Sequence, residues 1–232
     1  MSLPGTRTRY DRQLLSLAGI PIRLSPWYLA LVWLSLSRAP SLAYGLVTLA
    51  ALTLSVLVHE LGHGLAASAY DLRPSILLHG LGGWCEHAPA RSRNDDLVVV
   101  AAGPAFGLAL GAAAWAAPDV GPWWIAALRA DLAWLGLFWS LVNLLPVLPL
   151  DGGSILLNVL ERRRSIRSPV RVTRTAGVAA SIGAVAWGLG HGEIGVALMF
   201  ALLGWDNAAA LGRVRGLQGL SFNGPAAPTA GP

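Results

Sequence analysis

The feature that most constrains this chain is a succession of long apolar runs separated by short polar or Arg-bearing segments. The runs fall at residues 26–37, 42–70, 97–117, 123–150, 172–189 and 194–211. A helix needs about 20 apolar residues to cross the hydrocarbon core of a bilayer. Five of the runs approach or exceed that length, and the first reaches it only if its neighbours extend it. Lipid offers no hydrogen bonds to a backbone, so runs of this kind are expected to be helical. Composition agrees: 54% of the 232 residues are hydrophobic and 12% are charged, where a soluble domain carries about 25% charged residues. The ten tryptophans suit the membrane–water interface. The expected fold class is an all-α membrane protein with about six transmembrane helices.

Charge placement gives an orientation. All 17 basic residues are Arg, concentrated in the N-terminal segment, in 71–96, in 161–174 and at Arg213 and Arg215. The alternate connections, near 38–41, 118–122 and 190–193, hold only Arg38. By the positive-inside tendency both termini face the cytoplasm. Basic charge confined to connections argues for membrane topology rather than nucleic-acid binding, and Arg162–Arg164 suit anionic lipid head groups. Within the fourth run, Arg129 and Asp131 are expected to pair with each other or to reach the interface. Residues 1–13 read as a cytoplasmic tail, 14–215 as the core, and the Pro/Gly/Ala-rich 216–232 as a disordered tail. The segments 14–24 and 74–79 read as short strands, the second opening a membrane-associated hairpin through a Gly-rich turn. High Ala, Gly and Arg usage suggests a prokaryotic inner membrane.

Chemistry concentrates in the second run. His59-Glu60-Leu61-Gly62-His63 places two imidazoles at i and i+4, on one helix face, where both can bind one zinc ion. Glu60 lies beside them as a candidate general base. Ionisable groups inside a span are costly and mark function. A single cysteine, Cys85, rules out an intrachain disulfide and a thiolate cage, so a metal must be held by His and carboxylate. A catalytic zinc needs a third protein ligand and one open position. Asp151 is the best candidate. It ends the run Asn143-Leu-Leu-Pro-Val-Leu-Pro-Leu-Asp151-Gly-Gly, and its span and that of His59 are expected to run in the same direction, with both motifs in the cytoplasmic half. Pro146 and Pro149 break regular helix there.

HELGH in one span, Gly103-Pro-Ala-Phe-Gly107 in the next and NLLPVLPLDGG at 143–153 resemble the site-2 protease family of intramembrane metalloproteases. GIPIRL at 19–24 and HGLGGW at 79–84 are similar to that family's N-terminal strand and hairpin. The resemblance covers roughly 14–211 and implies zinc held by His59, His63 and Asp151, with Glu60 as general base and Asn143 orienting substrate or the developing oxyanion. It also implies single-span membrane proteins as substrates, cleaved in regulated intramembrane proteolysis, in a minimal core without PDZ or cystathionine-synthase-type domains. The strands at 14–24 and 74–79 are expected to offer an edge that captures unwound substrate.

The remaining titratable groups carry blander expectations. His79 and His87 read as polar residues of the hairpin, His191 as a solvated loop residue, Glu86 and Glu193 as loop residues, and Cys85 as an inert thiol. Two other functions compete. A catalytically silent adaptor of the same fold would have lost Glu60 or a ligand, and a transporter would spread polar residues along a path; neither pattern is present.

Overall fold

The computed structural model describes residues 12–80, 82–163, 165–166 and 168–219; the expectations for residues 1–11 and 220–232 lie outside them. It divides into two compact units at Leu144/Leu145. The first holds β1 (Arg12–Leu17), β2 (Ile20–Leu24), α1 (Tyr28–Ser37), α2 (Leu42–Ala69), β3 (Ser75–His79), β4 (Gly82–Glu86), α3 (Arg93–Ala116) and α4 (Trp123–Asn143). The second holds α5 (Asp151–Glu161), α6 (Pro169–Gly190) and α7 (Ile194–Gly219).

Four strands form one mixed sheet in the order β1-β2-β3-β4. The segment 14–24 is two strands rather than one, because Ala18 (φ 49°) and Gly19 (φ 79°) both adopt positive φ between the paired Leu17 and Ile20. Two positive-φ residues make the turn whose twist matches that of the flanking strands. The hairpin of β3 and β4 forms as expected. However, β2 pairs parallel to β3, with Ile22 opposite Ile76, so β3 is an interior strand. The edges available for an added strand are therefore β1, which overlaps the expected 14–24 segment, and β4, but not β3. Alternation along the strands places Ile20, Ile22, Ile76 and Leu78 in a buried cluster with Val56 of α2.

Local chemistry starts the long helices. The Ser41 side chain accepts from the Tyr44 amide ahead of α2, and that of Ser92 accepts from the Asp95 amide ahead of α3. Asp95 and Asp96 then sit where the helix dipole favours negative charge. Glycine sets how closely the helices approach. A Cβ on Gly62 of α2 would lie 2.5 Å from the Ala102 carbonyl oxygen of α3, and one on Gly111 of α3 would lie 2.6 Å from the Leu137 amide nitrogen of α4. Backbones this close are the packing mode of membrane helices.

Among the described residues, four helices are long and apolar enough to cross a membrane: Leu42–Ala69, Arg93–Ala116, Trp123–Asn143 and Ile194–Arg213. Of the about six expected, these four reach that length and hydropathy. α1 has ten residues, about 15 Å of rise. The first half of α6 carries Arg171, Thr173, Arg174 and Thr175, which lowers its hydropathy. Large apolar side chains such as Trp115, Trp134, Leu198, Leu202 and Trp205 are exposed on these helices, as lipid-facing residues would be. Arg129 and Asp131, two positions apart, point to different sides of α4. Arg129 pairs with Asp119 at 3.4 Å, and Asp131 accepts from the Thr48 hydroxyl at 2.9 Å, so the expected pairing of the two with each other is not what forms. In the second unit, α6 and α7 meet along buried Thr173, Gly177 and Ser181 of α6 and Asn207 of α7. α7 runs to Gly219, into the segment expected to be disordered from 216.

Gly111→Val is expected to destabilise the protein by about 1–3 kcal/mol through overpacking, lowering the thermal unfolding midpoint in detergent. Gly183→Ala, whose Cβ would meet nothing within 4 Å, leaves that midpoint unchanged or raises it.

Candidate active site and metal centre

The second half of α2 carries His59, Glu60 and His63, each buried, with 4%, 7% and 8% of its surface exposed. The imidazole Nε2 atoms of His59 and His63 lie 3.3 Å apart, with ring planes at 77°. The Nδ1 of His63 lies 2.8 Å from the Val99 carbonyl oxygen of α3. A carbonyl only accepts, so Nδ1 carries the proton and Nε2 presents its lone pair toward His59. Histidines that bind metals commonly donate their other ring N–H in this way. Two nitrogens each about 2.05 Å from a tetrahedral zinc stand roughly 3.3 Å apart. The donor pair therefore fits a zinc ion in atom type and spacing, and His63 also in tautomer.

Three glycines make room for the motif. A Cβ on Gly103 of α3 would lie 2.1 Å from the His63 Nε2. One turn on, a Cβ on Gly107 would lie 2.2 Å from the Ser140 hydroxyl of α4 and 3.5 Å from the His59 Nδ1. Gly83 of β4 passes directly against Glu60, where a Cβ would lie 2.3 Å from Cγ and 2.8 Å from Oε1. The side chain of the candidate base is thus held against β4, one of the two edge strands of the sheet.

Asn143 is the last residue of α4, and its side-chain amide donates to the Trp139 carbonyl at 3.1 Å. The run 123–150 is helical only as far as Asn143. Asp151 does not close a continuous span; it opens α5 in the second unit. The prolines at 146 and 149 account for the break, since neither supplies a helical amide donor. At the first position of a helix the dipole favours the ionised carboxylate.

The other titratable groups resolve individually. His79 ends β3, and its burial holds its pKa below the usual histidine range. His87 follows β4 and donates from Nδ1 to the Ala88 carbonyl at 2.8 Å. His191 caps α6, donates to the Trp187 carbonyl at 2.9 Å and stacks on that ring. Glu86 is the last residue of β4 rather than a loop residue, and it pairs with Arg23 at 2.7 Å. Burial, then the nearby Glu60 and Glu86 carboxylates, push the Cys85 thiol up to about 12. In the sequence Gly103 and Gly107 stand only as part of a motif that carries a resemblance; their contacts with the histidines, Gly83 as the seat of Glu60 and the Val99 carbonyl as the partner of His63 were not foreseen. The i, i+4 spacing in GPAFG was the available signal.

Helices apolar enough to cross a membrane thus carry buried, paired imidazoles beside a glutamate, the features expected of a membrane metallopeptidase. The model for peptidase family M50 matches residues 47–121 and 121–186, and the chain belongs to that family. It is 32% identical over 181 residues, 69% of its length, to the Synechocystis protein sll0528, provisionally named a zinc metalloprotease. It is 33% identical over 133 residues, 52% of its length, to stage IV sporulation protein FB of Bacillus subtilis. To the zinc metalloprotease MJ0392 of Methanocaldococcus jannaschii it is 27% identical over 187 residues, 78% of its length. The chain spans about half the length of these relatives, 47%, 44% and 54% respectively. The solved site-2 protease of Methanocaldococcus jannaschii shares the fold, with a TM-score of 0.59 at 23% identity over 87% of this chain and 95% of that one.

Gly103→Ala is expected to displace His63 and to lower zinc affinity about tenfold or more, measured as bound zinc per purified protein. Gly83→Ala is expected to leave zinc bound, because Glu60 is not one of the two imidazole donors. Cys85 should alkylate with iodoacetamide at pH 8 roughly a thousandfold more slowly than the unfolded chain, since the thiolate is the reactive form. Rates are read by mass spectrometry. Because its folded-state pKa is raised above the unfolded value, ionisation of Cys85 also destabilises the fold as pH rises from 9.0 towards 12.

Proposed function

We propose that this protein is an intramembrane zinc metalloendopeptidase of the site-2 type. The observation that carries this is the pair of imidazole nitrogens 3.3 Å apart, buried in an apolar helix beside Glu60. His59 and His63 would hold the zinc, with Asp151 as the third ligand. Two neutral imidazoles and one carboxylate leave a fourth position open for substrate or water, as in catalytic sites. When bound, zinc supplies Lewis acidity toward the attacking water and the scissile carbonyl.

The chain's own residues do the rest. Glu60 takes a proton from the attacking water and delivers it to the departing amide nitrogen. Contact with Gly83 limits where its carboxylate can sit. β4 ends the sheet, so its outer edge offers backbone donors and acceptors to an extended segment. A helical substrate must unwind before cleavage, because its amides are tied up in i→i−4 hydrogen bonds. Pairing with β4 would hold the unwound segment beside Glu60. Asn143, at the end of α4, would orient the substrate or the developing oxyanion by exchanging its bond to Trp139 for one to the substrate.

The substrates proposed are single-span membrane proteins, cleaved in regulated intramembrane proteolysis. The protein would be a multi-pass component of a prokaryotic inner membrane, with both termini cytoplasmic and the Arg162–Arg164 segment against anionic lipid. Nucleic acid is not a proposed partner.

Purified protein in detergent or lipid, incubated with a single-span test substrate, is expected to give product. Glu60→Gln should lower the rate by about 10²–10⁴-fold, the usual weight of a general base, with zinc content unchanged. Equal rates in the two proteins would remove Glu60 from its role.

A further inference from the structure

Asn207 lies in α7, inside a helix apolar enough to cross a membrane, and none of its surface is exposed. A buried amide at that depth is costly unless its polar atoms are used. Its Nδ2 has two hydrogens and two acceptors. One is the Leu203 carbonyl of its own helix at 2.8 Å; the other is the Leu148 carbonyl at 2.7 Å. Two carbonyls on one side fix which end of the amide is nitrogen.

Leu148 lies in the non-helical segment 144–150, between Pro146 and Pro149, which have no N–H of their own. Irregular backbone of this kind is tolerated at membrane depth only where protein satisfies it. The segment is also pressed against the start of α5. A Cβ on Gly153 would lie 2.6 Å from the Leu148 nitrogen and 2.7 Å from the Val147 oxygen. The Leu150 amide donates to the Val147 carbonyl at 2.8 Å, and the Ser154 amide to the Leu150 carbonyl at 3.1 Å. Where Leu148 goes, the first turn of α5 follows, and Asp151 begins that turn. On the other side of the amide, Gly177 of α6 leaves room for the Asn207 Oδ1, which a Cβ there would approach to 2.9 Å.

We infer that Asn207 is a positioning residue for Asp151, holding the Leu148 carbonyl so that the first turn of α5 presents the carboxylate in one place. This rests on Asp151 being the third zinc ligand.

The test is a zinc titration of the full-length protein, stripped with a chelator in detergent and reloaded against a chromophoric competitor. Asn207→Leu keeps the branched heavy-atom skeleton and removes both N–H donors; it is expected to weaken zinc binding about tenfold, the scale of lost outer-shell support. In an Asp151→Ala background the same substitution is expected to change affinity less than twofold, because the ligand it positions is gone. Thr173→Val, which alters the same helix pair without touching Leu148, is expected to stay within twofold of wild type. An equal loss in both backgrounds, or no loss in either, overturns the positioning role. Should Asn207→Leu not fold, Asn207→Ser, with a shorter donor, is read in the same two backgrounds, and a smaller loss confined to the Asp151 background is expected. If Asp151→Ala binds zinc as wild type does, the third-ligand assignment itself fails. A neutral Asn207→Leu beside a weakened Asp151→Ala removes only the inference.

Discussion

The close approach of α2 and α3 is the constraint on which the rest of the first unit depends. Gly62 lies against the Ala102 carbonyl, and Gly103 leaves the volume that the His63 ring occupies. That contact lets the His63 Nδ1 reach the Val99 carbonyl, which in turn commits Nε2 to the side where His59 lies. A methyl group at Gly103 would occupy the position of the ring nitrogen itself. The paired-imidazole motif therefore works through side chains that are missing on the neighbouring helix as much as through those present on its own.

The same economy governs Glu60. Its side chain runs along Gly83, so the strand at the sheet edge and the candidate base are set by one contact. The buried isoleucines of β2 and β3 lock the sheet onto α2 through Val56, which fixes where β4 runs.

In the second unit the corresponding problem is a stretch of backbone that cannot be helical. Two prolines within four residues deprive 144–150 of regular hydrogen bonding, and the unit answers with a buried asparagine and closely packed glycines. Thr173, Ser181 and Asn207 are all buried on the facing sides of α6 and α7.

The apolar runs, the spacing of His59 and His63, the glutamate between them and the proline-rich segment before Asp151 were all legible in the sequence, because helix periodicity and backbone chemistry are local. Hydropathy alone did not resolve the ends or the character of the runs: one is apolar yet short, as in α1, one carries Arg and Thr in its first half, as in α6, and one stops at a proline-rich break, as after Asn143. The parallel pairing of β2 with β3, the seating of Glu60 on Gly83, the division of Arg129 and Asp131 between separate partners, and the bond from Asn207 to Leu148 were decided only by the tertiary structure. Each joins residues distant in the chain, and a glycine or an asparagine carries no local sign of which neighbour will fill its space or take its hydrogens.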